Sequence, residues 1–358
     1  MRSLWALAAL AAASAGGQSL RVIHEVPIGL VSVQTNSFAT IPVPIGGVAG
    51  TADGVGLRGL YVTQQGDTED GLGPWSLDVR VTAVAPDGSQ VAWNPIGGDV
   101  TIADYPLSDG MGGFAGVPAS GGWVFTFDSV EPVSNWRYGI EGAVIYLLAR
   151  TASAMWVDTV VPDVALSWDR PFFIEGVSGL GPVAYAAFEF EVSESGVYEF
   201  DSVLSSGGDH YTFLYEGDAL GGGFDPQQPL SNLLDYGLGN GNSPFGVPRG
   251  TSRISALLLA DRRYTWVTSQ WSEFSQIAPS TNTIVGPGVV NEVTDACPAD
   301  VNGDGTLNDS DFFAWVTVFT ASPRTPEQEA ACDVNEDGSC TDSDFFAWVT
   351  LFTGEGCP

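Results

Sequence analysis

Two short stretches near the C-terminal end place oxygen-bearing side chains at alternate positions around a glycine. The first carries Asp300, Asn302, Asp304, Gly305, Thr306, Asn308 and Asp311. The second, 33 residues later, carries Asp333, Asn335, Asp337, Gly338, Ser339, Thr341 and Asp344. A hard divalent cation such as calcium takes six to eight oxygen ligands at roughly 2.3–2.6 Å. A loop that supplies them from positions 1, 3, 5, 7, 9 and 12 needs glycine at 6 for its sharp turn. In both stretches positions 1, 3 and 5 are Asp, Asn and Asp, Thr306 and Ser339 offer a main-chain carbonyl at 7, and Asn308 and Thr341 stand at 9. Asp311 and Asp344 close the set at 12, where glutamate is more usual; the shorter side chain makes the loop close tighter on its ion. One such match has an alternative reading, an acidic turn that binds nothing. Two in register predict two calcium ions.

Something must hold these loops. Both run into the same nine residues, 309–317 and 342–350, each reading DSDFFAWVT. Phe312, Trp315, Val316 and Phe319, like Phe345, Trp348, Val349 and Phe352, recur at three- and four-residue spacing, which places them on one face of a short helix. The expected result is two helices packed on each other; the alternative is that Trp315 or Trp348 stands exposed as a docking surface.

Two calcium loops with aspartate at position 12, each followed by one helix, resemble a type I dockerin. The resemblance covers about 297–358 and is closest to planctomycete-type modules ending in Gly-Cys, here Gly356-Cys357-Pro358. It implies a module that binds a cohesin-like or other surface receptor and tethers a secreted protein to a scaffold or cell surface. The contact positions it implies are Asp309-Ser310 and Asp342-Ser343 with Val316-Thr317 and Val349-Thr350; they lack the Ser/Thr pair and basic residues of cellulosomal dockerins. All four cysteines lie in this region. In an exported protein an even, clustered count reads as disulfides, with three pairings open. Cys297–Cys357, clasping the module ends, and Cys332–Cys340, bracing the second loop, are favoured. A four-cysteine zinc site is disfavoured because no CxxC occurs.

Residues 1–15 read as a secretory signal: Arg2, an apolar run over 4–13, then Ala13-Ser14-Ala15. That run is too short to span a bilayer, so the mature chain is expected outside the cytoplasm, secreted or on the cell surface. The net charge is −31 at pH 7, and all twelve basic residues are arginine. Nucleic acid is excluded as a partner because little could neutralise its phosphates. Apolar residues make up 44% of the chain, enough for ordered cores.

Between about 20 and 290, alternating runs such as 75–84, 122–127 and 186–192 are broken by Gly, Pro, Asn and Asp. That pattern predicts antiparallel β-sandwiches. The length predicts two, at 16–152 and 160–290, followed by a small helical module. The first, through Ala85-Pro86-Asp87-Gly88, Phe114-Ala115-Gly116 and 121–128, resembles a proprotein-convertase P-domain, a jelly roll. The second, through 195–200, 209–215, Phe224-Asp225-Pro226 and 260–268, resembles a bacterial pre-peptidase C-terminal domain. Both resemblances imply accessory rather than catalytic modules.

Catalytic signals are sparse. The histidines are His24 and His210, and no serine sits in a GxSxG elbow. His210 beside Asp209 is expected to be a satisfied strand residue. Asp67, Glu69 and Asp70 form an acidic loop, expected to be solvated rather than a further calcium site. Trp75, Trp93, Trp123, Trp136 and Trp271 are expected in cores, with sugar stacking as the alternative. The expected protein is exported, non-enzymatic and multi-domain. The alternative is a carbohydrate-binding or carbohydrate-active protein, with polysaccharide as partner, carried by the same module.

Overall fold

The computed structural model describes residues 18–34, 37–65, 79–95, 105–129, 137–172, 176–217, 223–241, 246–275, 277–293, 299, 301, 309–321, 324–325, 328, 332–334 and 338–353. The chain divides into two compact units, Met1–Glu292 and Val293–Pro358.

Among the described residues of the first unit the elements are all strands, and their pairs are antiparallel. Its first half holds β1 (Gln18–Gln34), β2 (Ala39–Ile45), β3 (Thr51–Gln65), β4 (Val79–Val84), β5 (Gln90–Trp93), β6 (Tyr105–Pro118), β7 (Gly121–Ser129) and β8 (Arg137–Ala152). Its second half holds β9 (Ala154–Val160), β10 (Asp163–Trp168), β11 (Pro171–Phe172), β12 (Gly176–Val177), β13 (Val183–Val192) and β14 (Gly196–Leu204), then β15 (His210–Glu216), β16 (Leu233–Leu238), β17 (Thr251–Leu258), β18 (Arg263–Gln270), β19 (Ser280–Gly286) and β20 (Val290–Glu292). The largest sheet runs β6-β3-β8-β1-β14-β19-β9, with β17 also on β14. A second sheet runs β10-β13-β18-β15-β16, with β20 on β13, and a third runs β2-β7-β4-β5.

Alternation explains the elements. In β14, Tyr198, Phe200 and Leu204 are buried while Glu199 and Val203 face water, the period of two that a half-buried strand requires. One core, from the first half, gathers Val55, Leu57, Tyr61, Trp123, Phe125, Phe127, Ile140 and Ile145. A second gathers Phe190, Phe200, Leu214, Ile254, Tyr264, Trp266 and Ile284. Each fully buried Leu, Val, Ile or Phe contributes roughly 1.5–3 kcal/mol. Strand β15 is buried on both faces: Leu214 belongs to the second core, while Tyr211, Phe213 and Tyr215 pack with Trp168, Tyr185 and Phe224 in a third.

The two halves share the largest sheet. β1 pairs with β8 from Gln18↔Ala152 to Gln34↔Arg137 and meets β14 at Arg21↔Gly196. Val22 N donates to Ser195 O at 2.7 Å beside that join. A side chain at Gly196 would lie 2.2 Å from the carbonyl oxygen of Leu20, so glycine is what lets the strands approach. The expected strand at 122–127 lies in β7, and that at 186–192 in β13. Residues 79–84 form β4, while 75–78 lie outside the described residues. Residues 153–159, left between the two expected sandwiches, are mostly β9, paired with β19 along its length.

The second unit contributes the helices of the described chain, α1 (Asp309–Phe319) and α2 (Asp342–Thr353). The fold is therefore mainly β with antiparallel sheets, and helix appears only near the C-terminal end. No helix among the described residues is long and apolar enough to cross a membrane.

Candidate metal centre

Of the residues expected to hold metal, Asp311, Asp333, Ser339, Thr341 and Asp344 are described. Asp300, Asn302, Asp304, Thr306, Asn308, Asn335 and Asp337 lie outside the described residues. Among the described residues no group of three or more His, Cys, Asp or Glu side chains is placed to hold a metal ion.

Each loop feeds its helix directly. α1 starts at Asp309 and α2 at Asp342, so the position-12 aspartates fall in the first turns, where a helix favours negative charge. Thr341 caps α2: its main-chain N donates to Asp344 Oδ2 at 2.7 Å, and its Oγ1 accepts from Ser343 N at 3.3 Å. This is a capping box with aspartate in the glutamate role. Gly338 has φ +87°, the left-handed conformation that favours glycine. Its N donates to Asp333 Oδ2 at 2.8 Å, which draws the position-1 carboxylate across the turn.

Asp311 and Asp344 are both 0% exposed. Withdrawing a carboxylate from water is costly unless it is hydrogen-bonded and its charge is compensated. The all-oxygen donor set that the sequence groups with these two buried carboxylates fits calcium.

Ala299, Trp315, Cys332, Cys340 and Trp348 form the buried core of this unit, with Phe319, Phe345 and Phe352 packed on it. Ring geometry repeats across the halves. Trp315 stacks on Phe319 and Trp348 on Phe352, each at 4.6 Å. Trp315 meets Phe345 at 5.4 Å and Trp348 meets Phe312 at 5.8 Å. The tryptophans lie 5.9 Å apart. The two helices thus pack on each other through a paired tryptophan centre, as the spacing predicted for Trp315, Phe319, Phe345, Trp348 and Phe352. Neither tryptophan stands exposed. Phe313 and Phe346, which the core-face periodicity skipped, are 66% and 67% exposed, and Phe312, which it placed on the core face, is itself 38% exposed.

Residues 298–347 match the family model of the dockerin type I domain. The C-terminal module is a type I dockerin. Dockerins are non-catalytic modules that bind cohesins and calcium, so this dockerin is a cohesin-binding module in a multi-domain protein, of a kind typically extracellular or at the cell surface. No curated protein matches the chain. Similar solved structures include the N-terminal CBM22-1-CBM22-2 tandem domain from Paenibacillus barcinonensis Xyn10C, 9% identical over 78% of this chain and 98% of that one, with a TM-score of 0.18. Another is PNGase F, a glycosylasparaginase from Flavobacterium meningosepticum, 10% identical over 73% and 99%, with a TM-score of 0.19. Scores this low carry no assignment for the residues outside the dockerin. Cys332 and Cys340 are disulfide-bonded beside the dockerin's second loop, whereas Cys297 and Cys357 lie outside the described residues.

The first unit has no comparable centre among its described residues. His210 is 2% exposed, with Nε2 3.1 Å from the buried Ser202 Oγ. Burial pushes its ring down to about 4, against the opposing effects of Ser202 and Asp209, so it is a neutral core residue. Trp93 and Trp123 are buried, while Trp271 is only partly covered and stacks on Tyr211 at 4.9 Å. Trp75, Trp136, Asp67, Glu69 and Asp70 lie outside the described residues. A cleft of about 770 Å³ is lined by Arg58, Tyr146, Glu216, Asn232 and Arg262 among others. Arg58 and Glu216 form an ion pair across it, with Arg262 Nε 3.8 Å from the same carboxylate.

Proposed function

We propose that this is an exported, non-catalytic protein held at a surface or scaffold by its dockerin. Residues 1–15 serve as the signal, 16–152 and 160–290 are two sandwich-like halves that present or bind something, and 297–358 dock. Two calcium ions bind, one to Asp300, Asn302, Asp304, Thr306, Asn308 and Asp311, the other to Asp333, Asn335, Asp337, Ser339, Thr341 and Asp344. Without calcium the loop carboxylates repel; with it the helices settle and present a docking face to a cohesin-like or other surface receptor. The observation that carries this reading is the pair of fully buried position-12 aspartates in equivalent first turns. The test is calorimetric titration of calcium into the chain lacking 1–15, with circular dichroism alongside. Two ions bound with a gain of helix are expected; no binding would remove the docking role.

A second reading, a polysaccharide-binding protein on the same dockerin, is favoured by the partly covered, face-stacked Trp271. Retention on insoluble polysaccharide that Trp271→Ala abolishes would support it, and release of reducing sugar would point to an enzyme.

A further inference from the structure

The two halves of the dockerin repeat their ring contacts but not their bracing. Cys332, just before position 1 of the second loop, is disulfide-bonded to Cys340 at position 8, with Cα atoms 5.2 Å apart. The matching residues of the first loop are Ala299 and Leu307, so it has no such crosslink. Arg324 adds a second brace. Its guanidinium donates to the carbonyls of Val318, Phe319 and Cys340, tying the end of α1 to the residue that closes the crosslink. The position 33 residues on is Cys357, so the second half has no equivalent arginine. A third difference lies in the main chain. Trp348 Nε1 donates to Ala299 O at 3.2 Å. The equivalent carbonyl, Cys332 O, accepts instead from Val334 N at 3.0 Å, and the buried Trp315 Nε1 has no acceptor among the described residues.

We infer that the two calcium sites are unequal: the Cys332–Cys340 crosslink pre-shapes the second loop, which fills first, and the uncrosslinked first loop fills second. This rests on reading both loops as calcium sites. A crosslink removes conformations from the ion-free loop, so less ordering of that loop remains to be done when calcium arrives. By the chain-entropy relation a loop of this length gains at most about 80-fold, and typical deliveries are smaller, near ten-fold. The second site is therefore also the redox-sensitive one. A small dithiol transfers two electrons and two protons to the S–S bond, leaving two thiols and closing as its own disulfide.

The test is calorimetric calcium titration of the whole chain carrying Asp300→Ala, which leaves the second loop, or Asp333→Ala, which leaves the first. The Asp300→Ala chain is expected to bind one ion more tightly than the Asp333→Ala chain. Adding Cys332→Ser with Cys340→Ser should weaken the Asp300→Ala chain by about ten-fold and the Asp333→Ala chain by less than about two-fold. Dithiothreitol on the cysteine-intact Asp300→Ala chain should reproduce the loss, which guards against misfolding of the serine variants. Equal affinities of the two loops, or equal responses to loss of the crosslink, would overturn the inference while leaving the calcium reading intact. Absence of calcium binding by the unaltered chain would overturn both.

Discussion

Residues 18–292 and the dockerin withdraw apolar side chains from water by opposite means. The first unit satisfies its main chain through paired strands and fills the space between with aromatic and branched side chains. The dockerin has two short helices, a paired tryptophan centre, a crosslink and two buried carboxylates. A core that small is marginal without staples or metal. The comparison teaches that calcium dependence should be confined to the second unit, whereas pH dependence should be read in the first.

The largest effect expected is from Asp300→Ala combined with Asp333→Ala. Calcium-dependent helix should vanish and receptor binding fall by at least about 100-fold, because the ligand-poor loops no longer organise the docking helices. Circular dichroism and a binding titration would show it. The main thermal transition of 18–292 should not move; loss of sheet signal in this variant would break the separation. Next comes Trp266→Ala, which removes a side chain only 1% exposed. It should cost the first unit roughly 3–5 kcal/mol in denaturant unfolding, with calcium affinity unchanged.

Titration sharpens the same contrast. The half-buried carboxyls of Asp109 and Asp235 are pushed up to about 7, mainly by desolvation. A carboxyl raised on folding holds its proton longer in the native state, so its contribution is present below the unfolded pKa and is lost as pH rises toward about 7. His210, pushed down to about 4, acts oppositely: stability falls as pH drops from about 6.5 toward 4, because the unfolded chain takes up the proton first. Melting temperature against pH should lose its acid-side fall in His210→Phe. It should lose its neutral-side fall in Asp109→Asn with Asp235→Asn. The smallest effect is expected from Arg80→Ala, which breaks an exposed pair with Asp128 at 2.6 and 2.9 Å. Less than about 1 kcal/mol should be lost, and less still in high salt.

The dockerin was the most legible part of the chain, because its ligand positions, glycine turns and helix starts lie within a dozen consecutive residues each. The three- and four-residue spacing also placed Trp315 and Trp348 inward. It left Phe313 and Phe346 off the buried face, where they stand exposed, but it also put Phe312 on that face, and only the packing of the partner helix leaves Phe312 38% exposed. In the first unit, alternation disclosed strands at β7 and β13, but neither their partners nor the role of 153–159 as an edge strand. His210 beside Asp209 read the same in sequence whether catalytic or buried; only its enclosure against Ser202 decided the matter.

Sequence alone therefore determined what depends on neighbours along the chain: the repeated acidic loop pattern, the helices that follow it and the β character of the rest. Tertiary structure decided what depends on residues far apart. It joined β1 to β14 through Gly196, put both faces of β15 indoors, buried Asp311 and Asp344, and braced only one of two nearly identical loops. The physical reason is range. A turn or a ligand spacing is set by local backbone geometry, whereas strand partners and burial are set by whichever distant surfaces exclude water together.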